Sequence, residues 1–543
     1  MLSYCFTSTI GICQLYLPLN VSIRIYIQKN YMTATLQKYT PGLILFLLSV
    51  ILCGWVYQDY GISWDEPEQK RMGDVSYNYV RKGDKALFTY LDRDHGVGFE
   101  LPLTIFEKTF IRSGNSRDQY LARHLITHLF FLFAALCGYV LIQKLFKNQF
   151  LSCLGYLMLV FDPRLYAQSF FNTKDIPFLS AFIISLTVCH IAFQRNTTRW
   201  YILLGIVTGY ASSIRILNIY FIFFVSIFFL LDIIQAYKNK SAVKATIKNF
   251  ALFIIAVVGT LYAFWPLMWR NPIHNFTDVF GHYSHYGWLG QVLFNGKSYT
   301  SNHLPAAYIP GWICISTPVL IIVASIIGCI TAILAFIRKP WQMLNDRVER
   351  NFLLYLFCIV APVGTIIMLH SSIYDDWRHV YFVYPSLLLL AMYLINKLIQ
   401  TKFKKWIIAA CVAQVIMVGI FMVRNHPYQQ VYFNEFISHK DEYLRKNFEM
   451  DYWGVAYKQG YEYILKTDPS YNIKIASRNA PLGTNNLLLQ PHEQQRFHYV
   501  DVKEDPDYIL TNFRYNANEE PLPHIYYEVK VLNSTILRVY KMH

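Results

Sequence analysis

Long apolar runs recur along the first four fifths of the chain and stop near residue 423. Nine of them reach or approach the roughly 18–20 residues that a helix needs to cross a bilayer: 42–57, 128–145, 176–193, 216–234, 250–268, 313–337, 352–369, 380–395 and 406–423. Two further runs, 150–161 and 201–214, are shorter. Short or broken helices inside a bundle commonly border a cavity. The pattern predicts eleven spans and a mainly α, polytopic membrane protein.

The polar tail has a different pattern. Segments 472–477, 525–531 and 535–540 alternate apolar and polar residues, which is typical of strands, and Leu532-Asn533-Ser534 predicts a hairpin turn. Segment 457–466 has a helical pattern. We therefore predict three parts: an N-terminal segment 1–41, a transmembrane domain 42–423 and a small α/β domain 424–543. Because Met32 resembles a natural start, we expect residues 1–31 to be an over-extended beginning.

Composition supports this division and gives an orientation. The chain is 54% hydrophobic and 15% charged, whereas soluble domains carry about 25% charged residues. Its formal charge of +15 is explained by Lys and Arg in alternate short loops, as the positive-inside rule expects, so no nucleic acid partner is predicted. This bias places loops 162–175, 269–310 and 371–379, and the tail, on the outer face. Loop 58–120, also assigned to the outer face, is rich in Lys and Arg, but at roughly sixty residues it is long enough for the rule to fade. The tail has no cysteine, which argues against disulfides.

An acidic pair, Asp65-Glu66, follows the first predicted span by only a few residues, in the sequence Gly-Ile-Ser-Trp-Asp-Glu-Pro at 61–67. A carboxylate at a membrane surface can serve as a general base. The alternative is a solvated helix start, for which the following Pro67 is equally suited.

A second polar cluster follows the short run 150–161. Arg164 and Lys174 suit the neutralisation of a phosphate, while Asp162 and Asp175 can orient a hydroxyl or hold the two cations. The alternatives are an ordinary interfacial ion network and, for Asp175, a helix cap.

Three more cations are candidates for binding an anionic substrate. Arg215 lies between two apolar runs, where an ionisable residue is a functional candidate unless it merely reaches the interface. Arg270 lies among aromatic residues of the third outer loop, and Arg378 precedes His379 in the fourth. The acidic pair 375–376 is an alternative, structural partner for Arg378. The His-rich stretch after residue 281 has no convincing third ligand, so no metal site is predicted.

The order of short motifs resembles that of glycosyltransferase family 39, in the GT-C class of membrane glycosyltransferases. This family includes protein O-mannosyltransferases and bacterial aminoarabinose transferases. The resemblance covers about residues 40–515. It rests on Trp-Asp-Glu at 64–66, Ser-Phe-Phe-Asn-Thr-Lys-Asp-Ile-Pro at 169–177, segment 205–215, Trp-Pro-Leu-Met-Trp at 265–269, Leu-Phe-Asn-Gly-Lys at 293–297, Ser-Thr-Pro at 316–318, segment 374–384, and His-Pro-Tyr at 426–428 with Asp-Tyr-Trp-Gly at 451–454.

The resemblance implies a GT-C fold and a sugar donor carried on polyprenyl phosphate, bound from the outer leaflet of a bacterial inner membrane. It also implies that Asp65 is the base, that Glu66 supports it, and that the acceptor is a lipid, glycan or protein. Arg and Lys suffice to stabilise the leaving phosphate, so no cofactor is expected, with a divalent metal as the open alternative. Asn-Thr-Lys-Asp at 172–175 differs from the longer motif of the aminoarabinose transferases, which leaves the acceptor open.

Two other function classes are considered. A flippase or transporter of lipid-linked sugars would place charges near mid-membrane and often shows repeated halves, whereas here the charges lie at the ends of spans and no repeat is visible. A ligase or polymerase of surface polysaccharide acts on the same kind of donor and stays open as an alternative.

Overall fold

The structure, a computed structural model, describes residues 37–284, 288–477, 481–518, 522 and 524–543. The predicted start at Met32 and the segment before residue 37 lie outside the described part. The first ten helices are α1 Gln37–Val56, α2 Glu66–Lys82, α3 Glu100–Phe110, α4 Ser116–Phe146, α5 Gln149–Val160, α6 Pro163–Phe171, α7 Asp175–Arg195, α8 Thr198–Ile214, α9 Ile219–Lys238 and α10 Val243–Phe264.

The remaining helices are α11 Pro272–Ser284, α12 Tyr308–Ser316, α13 Val319–Arg338, α14 Pro340–Asn345, α15 Arg350–Met368, α16 Tyr384–Leu398, α17 Lys404–Arg424, α18 Tyr443–Asn447, α19 Tyr457–Thr467 and α20 Pro491–Gln494. The strands are β1 Gln291–Phe294, β2 Lys297–Thr300, β3 Ile473–Ser477, β4 Phe497–Tyr499, β5 Tyr508–Thr511, β6 His524–Val531 and β7 Ser534–Lys541.

The predicted multi-pass helical architecture is confirmed. Among the described residues, nine helical stretches are long and apolar enough to cross a membrane, or ten if α5 and α6, bent by 56°, form one broken span. The remaining predicted run, 201–214, lies in α8, which has only 17 residues. Each of the eleven apolar runs is therefore helical over most of its length, but the two short runs, 150–161 and 201–214, are not simple spans.

One predicted span is wrong in its extent. The run 313–337 is divided between α12, which ends at Ser316, and α13, which begins at Val319. Pro318 lies between them and cannot donate a backbone hydrogen bond, so the helix does not continue through it. Ser316 and Thr317 lie at this break and are buried.

α7 is the central helix of the bundle. In its most apolar window 94% of residues are buried, whereas the figure is 17% for α1 and for α10. α7 packs against α4, α8 and the 3-10 turn Arg378–Val383 that leads into α16. α1 and α10 keep apolar side chains on the outside, as lipid-facing helices do.

The first predicted outer loop contains two helices, α2 and α3, which pack against each other. α2 begins beside Asp65 with Pro67 in its first turn and ends at Lys82, which is followed by the capping residue Gly83. Gly83 has φ 70°, the left-handed conformation that commonly closes a helix. α2 therefore starts at the acidic pair, close to the end of α1.

The predicted C-terminal α/β fold is confirmed. Five strands form one sheet in the order β4-β3-β5-β7-β6, with β3 parallel to β4 and β5 and the remaining pairs antiparallel. The predicted helix is α19, and the predicted hairpin joins β6 to β7. Its turn residues Leu532 and Asn533 have φ 49° and 57°, as a two-residue hairpin loop requires.

Candidate active site

Asp65 and Arg378 form the centre of a charge cluster at one end of the bundle. The Asp65 carboxylate lies 2.9 Å from the Arg378 guanidinium. Asp65 precedes α2, and Arg378 opens the turn that leads into α16. The Asp65 side chain is 28% exposed, whereas that of Arg378 is 3% exposed. Asp65 is thus the accessible partner of the pair.

Asp175 joins two cations in this cluster. Its carboxylate pairs with Arg215 and lies 3.4 Å from Arg378. Asp175 begins α7 and Arg215 follows the end of α8, so neighbouring helices bring their charged ends together. The Asn172 side-chain amide donates a hydrogen bond to Asp175 at 3.0 Å, which fixes the orientation of that carboxylate.

The acidic pair Asp375 and Asp376 has an unusual backbone. Their φ angles are 57° and 61°, and two consecutive left-handed residues are rare outside glycine. The turn sends the carboxylates to different partners. Asp375 lies 3.2 Å from Arg378, and Asp376 lies 2.8 Å from Arg164. Strain of this kind persists where the surrounding contacts determine it, and it is common at functional sites.

The C-terminal domain contributes directly to the cluster. Arg514 lies 2.8 Å from Asp375 and donates to the Tyr452 carbonyl at 2.6 Å. The Trp453 carbonyl accepts a hydrogen bond from the Trp64 backbone at 3.0 Å, while the Arg378 guanidinium lies 4.6 Å from the centre of the Trp453 ring. The motif at 451–454 therefore holds both Asp65 and Arg378 in place.

Glu66, although adjacent to Asp65, faces elsewhere. Its side chain is fully buried and lies 3.2 Å from His124 Nε2 on α4. The same buried group includes the ion pair of Arg123 with Glu100, and Lys70 lies 2.8 Å from Glu107. Glu66 thus belongs to a buried polar contact among α2, α3 and α4, and its partner is His124, not Arg378.

Two of the predicted site residues, Asp162 and Arg164, cap and position α6. Asp162 precedes the helix, and its carboxylate accepts a hydrogen bond from the Leu165 backbone at 3.1 Å. Arg164 donates to the Tyr432 carbonyl at 3.1 Å in addition to its pair with Asp376. Asp376 also accepts hydrogen bonds from Tyr452 at 2.6 Å and from Tyr381 at 2.9 Å. This network connects α6, the turn before α16 and the tail.

Lys174 is buried beside the cluster and donates to the Gly96 carbonyl. Burial, together with the nearby charge of Arg215, lowers the pKa of Lys174 to about 7. A second base, the half-buried His95, is close by, and its pKa is lowered by desolvation and by Lys174 and Arg215. Buried bases next to guanidinium groups favour the presence of a negative charge.

His379 and Arg270 occupy different surroundings. The half-buried His379 ring packs edge-on against Tyr374, with 4.8 Å between ring centres, and is next to Arg378. Arg270 is exposed and lies over the Phe88 ring at 5.4 Å. The structure therefore brings His379 to the cluster and leaves Arg270 outside it.

The cations and carboxylates of the cluster are nearly balanced in number. Three carboxylates face three guanidinium groups, and Lys174 adds a cation that is partly charged near neutral pH. The residues are Asp65, Asp175 and Asp375 with Arg215, Arg378 and Arg514. In the described part of the chain, no group of three or more His, Cys, Asp or Glu side chains is arranged to hold a metal ion. The arrangement offers one accessible carboxylate next to cations that can bind an anion.

Sequence reasoning missed Arg514 as a member of this site. It lies in the polar tail, in the sequence Asn-Phe-Arg-Tyr at 512–515, with no local pattern that separates it from other surface cations. It identified Asp375 only as an alternative structural partner of Arg378. A tail motif rich in aromatic residues, at 451–454, is the signal that connects the tail to the membrane domain.

A model of the family of dolichyl-phosphate-mannose-protein mannosyltransferases matches residues 115–263. The resemblance predicted from the motifs is confirmed over this stretch. It extends from α4 into α10 and contains Lys174, Asp175 and Arg215, whereas Asp65 and Arg378 lie outside it. The match indicates a glycosyltransferase. No curated protein is similar enough to count as a match.

Solved structures of ArnT from Cupriavidus metallidurans are also similar to the chain. The apo structure has a TM-score of 0.46 and 12% sequence identity, and the alignment covers 92% of this chain and 98% of ArnT. The structure of ArnT bound to undecaprenyl phosphate has a TM-score of 0.44 with the same identity and coverage. The bound lipid is a feature of that ArnT structure.

Proposed function

We propose that the protein transfers a sugar from a polyprenyl-phosphate donor to an acceptor hydroxyl at the outer face of a bacterial inner membrane. The observation that carries this proposal is the accessible Asp65 carboxylate, held beside the buried cation Arg378, with Arg215 joined to the same cluster through Asp175. The family match supports the class of donor, because the matching family is described by a sugar on a polyprenyl-type phosphate, dolichyl phosphate. The proposed domain division remains 42–423 for the membrane part and 424–543 for the tail.

Asp65 is the proposed general base. As the acceptor oxygen bonds to the anomeric carbon, Asp65 takes the hydroxyl proton. The bond between that carbon and the phosphate oxygen breaks, and its electron pair remains on the polyprenyl phosphate. Asp65 suits this role better than Glu66, because Glu66 is fully buried against His124.

The leaving phosphate is proposed to lie against Arg215, Arg378 and Lys174. Groups that stabilise a developing charge contribute most when they are held in place before the reaction. Arg378 is held by Asp65 and Asp375, and Arg215 by Asp175. Asp162 and Arg164 are proposed to position α6, and His379 to border the cluster beside Arg378. The exposed Arg270 stays a candidate for contact with the donor lipid headgroup.

The test is transfer by purified protein in liposomes that contain a synthetic polyprenyl-phosphate monosaccharide and bacterial envelope lipids or glycans. We expect an acceptor whose mass increases by one sugar residue, together with release of polyprenyl phosphate. A flippase would move the labelled donor across the bilayer without covalent change. A ligase or polymerase would add an oligosaccharide from a polyprenyl-diphosphate donor instead. Either of these results, without transfer of a single sugar, contradicts the proposal.

A further inference from the structure

A cavity of about 430 Å³ lies between the β1–β2 hairpin and the C-terminal domain, next to the charge cluster. Its size is within the range of about 300–1,000 Å³ that is typical of small-molecule sites. The hairpin supplies one wall and segments 445–452 and 512–517 supply the other. None of the residues predicted from the sequence as site residues lines this cavity.

One buried carboxylate in the cavity wall, that of Glu449, has an oxygen with no hydrogen bond from the described residues. Glu449 is 7% exposed, and its Oε2 atom accepts no hydrogen bond from the residues that the structure describes. Burial raises the pKa of Glu449, while the nearby Arg514 lowers it and Asp375 raises it. Burying a polar atom without a hydrogen bond is costly, so such a group in a cavity wall favours a ligand that supplies a donor.

Arg514 connects the cavity to the proposed active site. It lines the cavity, and its guanidinium pairs with Asp375 at 2.8 Å. The same guanidinium lies 5.8 Å from the centre of the Trp64 ring, and Trp64 directly precedes Asp65. A group bound in the cavity is therefore separated from the proposed base by only a few side chains.

The lining indicates the chemistry of the ligand. Phe448, Phe513 and Tyr515 contribute aromatic side chains to the lining, and the exposed Gln291 contributes an uncharged amide. Both arginines in the wall are engaged by carboxylates, Arg445 by Glu442 at 2.8 Å and Arg514 by Asp375. Aromatic faces combined with amide and carboxyl groups suit an uncharged ring that carries several hydroxyl groups.

We infer that this cavity binds an uncharged, hydroxyl-rich saccharide unit of the acceptor, with Glu449 as its hydrogen-bonding anchor. The inference rests on the proposed function, since it names the substrate that receives the sugar. The same saccharide chemistry can be presented by a glycan or by the headgroup of a glycolipid. In this arrangement the acceptor lies against the C-terminal domain, and the donor phosphate lies against the membrane helices.

The test measures binding of two neutral probes, maltotriose and N-acetylchitotriose, to the purified protein in nanodiscs by saturation-transfer NMR and titration. We expect at least one probe to bind in the wild type, with affinity reduced roughly tenfold or more in Glu449→Leu and largely retained in Glu449→Gln. Glu462→Gln is the matched control, because Glu462 lies on the exposed side of α19 and pairs with Lys458. Melting temperatures identify any variant that fails to fold.

A second variant keeps the test independent of a buried substitution. Gln291→Trp places a bulky ring at the exposed hairpin edge of the cavity, so it should block the probes without altering the core. Equal probe binding in the wild type, Glu449→Leu and Gln291→Trp would overturn the inference, as would the absence of binding in the wild type. Because binding is measured without donor, a transfer-competent enzyme that fails this test refutes the cavity assignment alone. Saccharide binding in a protein that transfers nothing refutes the proposed function instead.

Discussion

The Asp65 carboxylate lies 2.9 Å from the Arg378 guanidinium, although one residue is near the start and the other near the end of the sequence of the membrane domain. Arg378 also contacts Asp175 and Asp375, so one guanidinium orients three carboxylates from three separate segments. Only the Asp65 partner is appreciably exposed. This arrangement keeps one carboxylate accessible at the end of the helical bundle while the neighbouring carboxylates are paired with cations.

Removal of Arg378 should affect both binding and folding. Arg378→Ala leaves Asp375 buried with one fewer cation, and breaking a buried pair in this way typically costs about 3–5 kcal/mol of stability. Loss of a cation from the proposed phosphate site should also cost about 2–5 kcal/mol of donor affinity. Thermal unfolding and donor-binding titrations measure the two effects. Arg112→Ala, in an exposed loop, is the control, and unchanged donor affinity in Arg378→Ala would remove Arg378 from the site.

Donor affinity should depend on pH through Lys174. Because its pKa is lowered to about 7, Lys174 is charged below that pH and largely neutral above it, so affinity for an anionic donor should fall as the pH rises from about 6 to 8.5. The charged groups that act on it are Arg215, Glu100, Asp175 and Asp92, and the pKa of the neighbouring His95 is itself lowered by burial and by Lys174.

The contribution of Lys174 is isolated by comparing the pH dependence of donor affinity in the wild type and in Lys174→Arg. Arginine stays protonated throughout this range, so the variant should lose most of the pH dependence while it still binds the donor. The donor should be a phosphodiester, which itself does not titrate near neutral pH. A pH profile that is the same in both proteins would assign the dependence to another group.

Glu66 should matter more for stability than for chemistry. Glu66→Gln weakens the buried contact with His124, and the loss of a hydrogen bond to a buried charged group costs about 1–3 kcal/mol. We expect a lower melting temperature and a smaller loss of transfer rate than for a change at Asp65. A normal melting temperature with abolished transfer would give Glu66 the role assigned here to Asp65.

The pair of Asp375 and Arg514 should couple the tail to the membrane domain. In a double-mutant cycle with Asp375→Asn and Arg514→Gln, we expect a coupling free energy of about 1.5 kcal/mol or more, as measured for close charge pairs. Asparagine tolerates the left-handed backbone of residue 375, so the change tests charge rather than strain. Additive effects on thermal unfolding would mean that the contact does not join the two parts.

The membrane helices could be predicted because the length of each apolar run can be read directly from the sequence. The β6–β7 hairpin could be predicted from its turn residues. The break at Pro318 was missed, since the apolar run continues on both sides of it. The candidate site was predicted only in part. The sequence indicated charged residues at the ends of spans, namely Asp65, Asp175, Arg215 and Arg378. Their pairing could not be predicted, because hydrophobic periodicity gives no information about contacts between distant segments.

The different surroundings of two adjacent residues could not be predicted from the sequence either. Asp65 and Glu66 are adjacent, yet one faces Arg378 and the other His124, because α2 begins between α4 and the turn before α16. Arg514 was missed because its partner Asp375 lies in a different domain. Such assignments depend on packing, which a single sequence does not display.

The most direct test of the central claim is the transfer rate of Asp65→Asn with a polyprenyl-phosphate sugar and its acceptor. The substitution keeps the shape of the side chain and removes the base. We predict a loss of roughly 100-fold or more in rate, as general-base removal typically causes, with the donor still bound and the fold retained. Asp59→Asn, an exposed carboxylate beside His426, should transfer at the normal rate. A near-normal rate in Asp65→Asn would contradict the account.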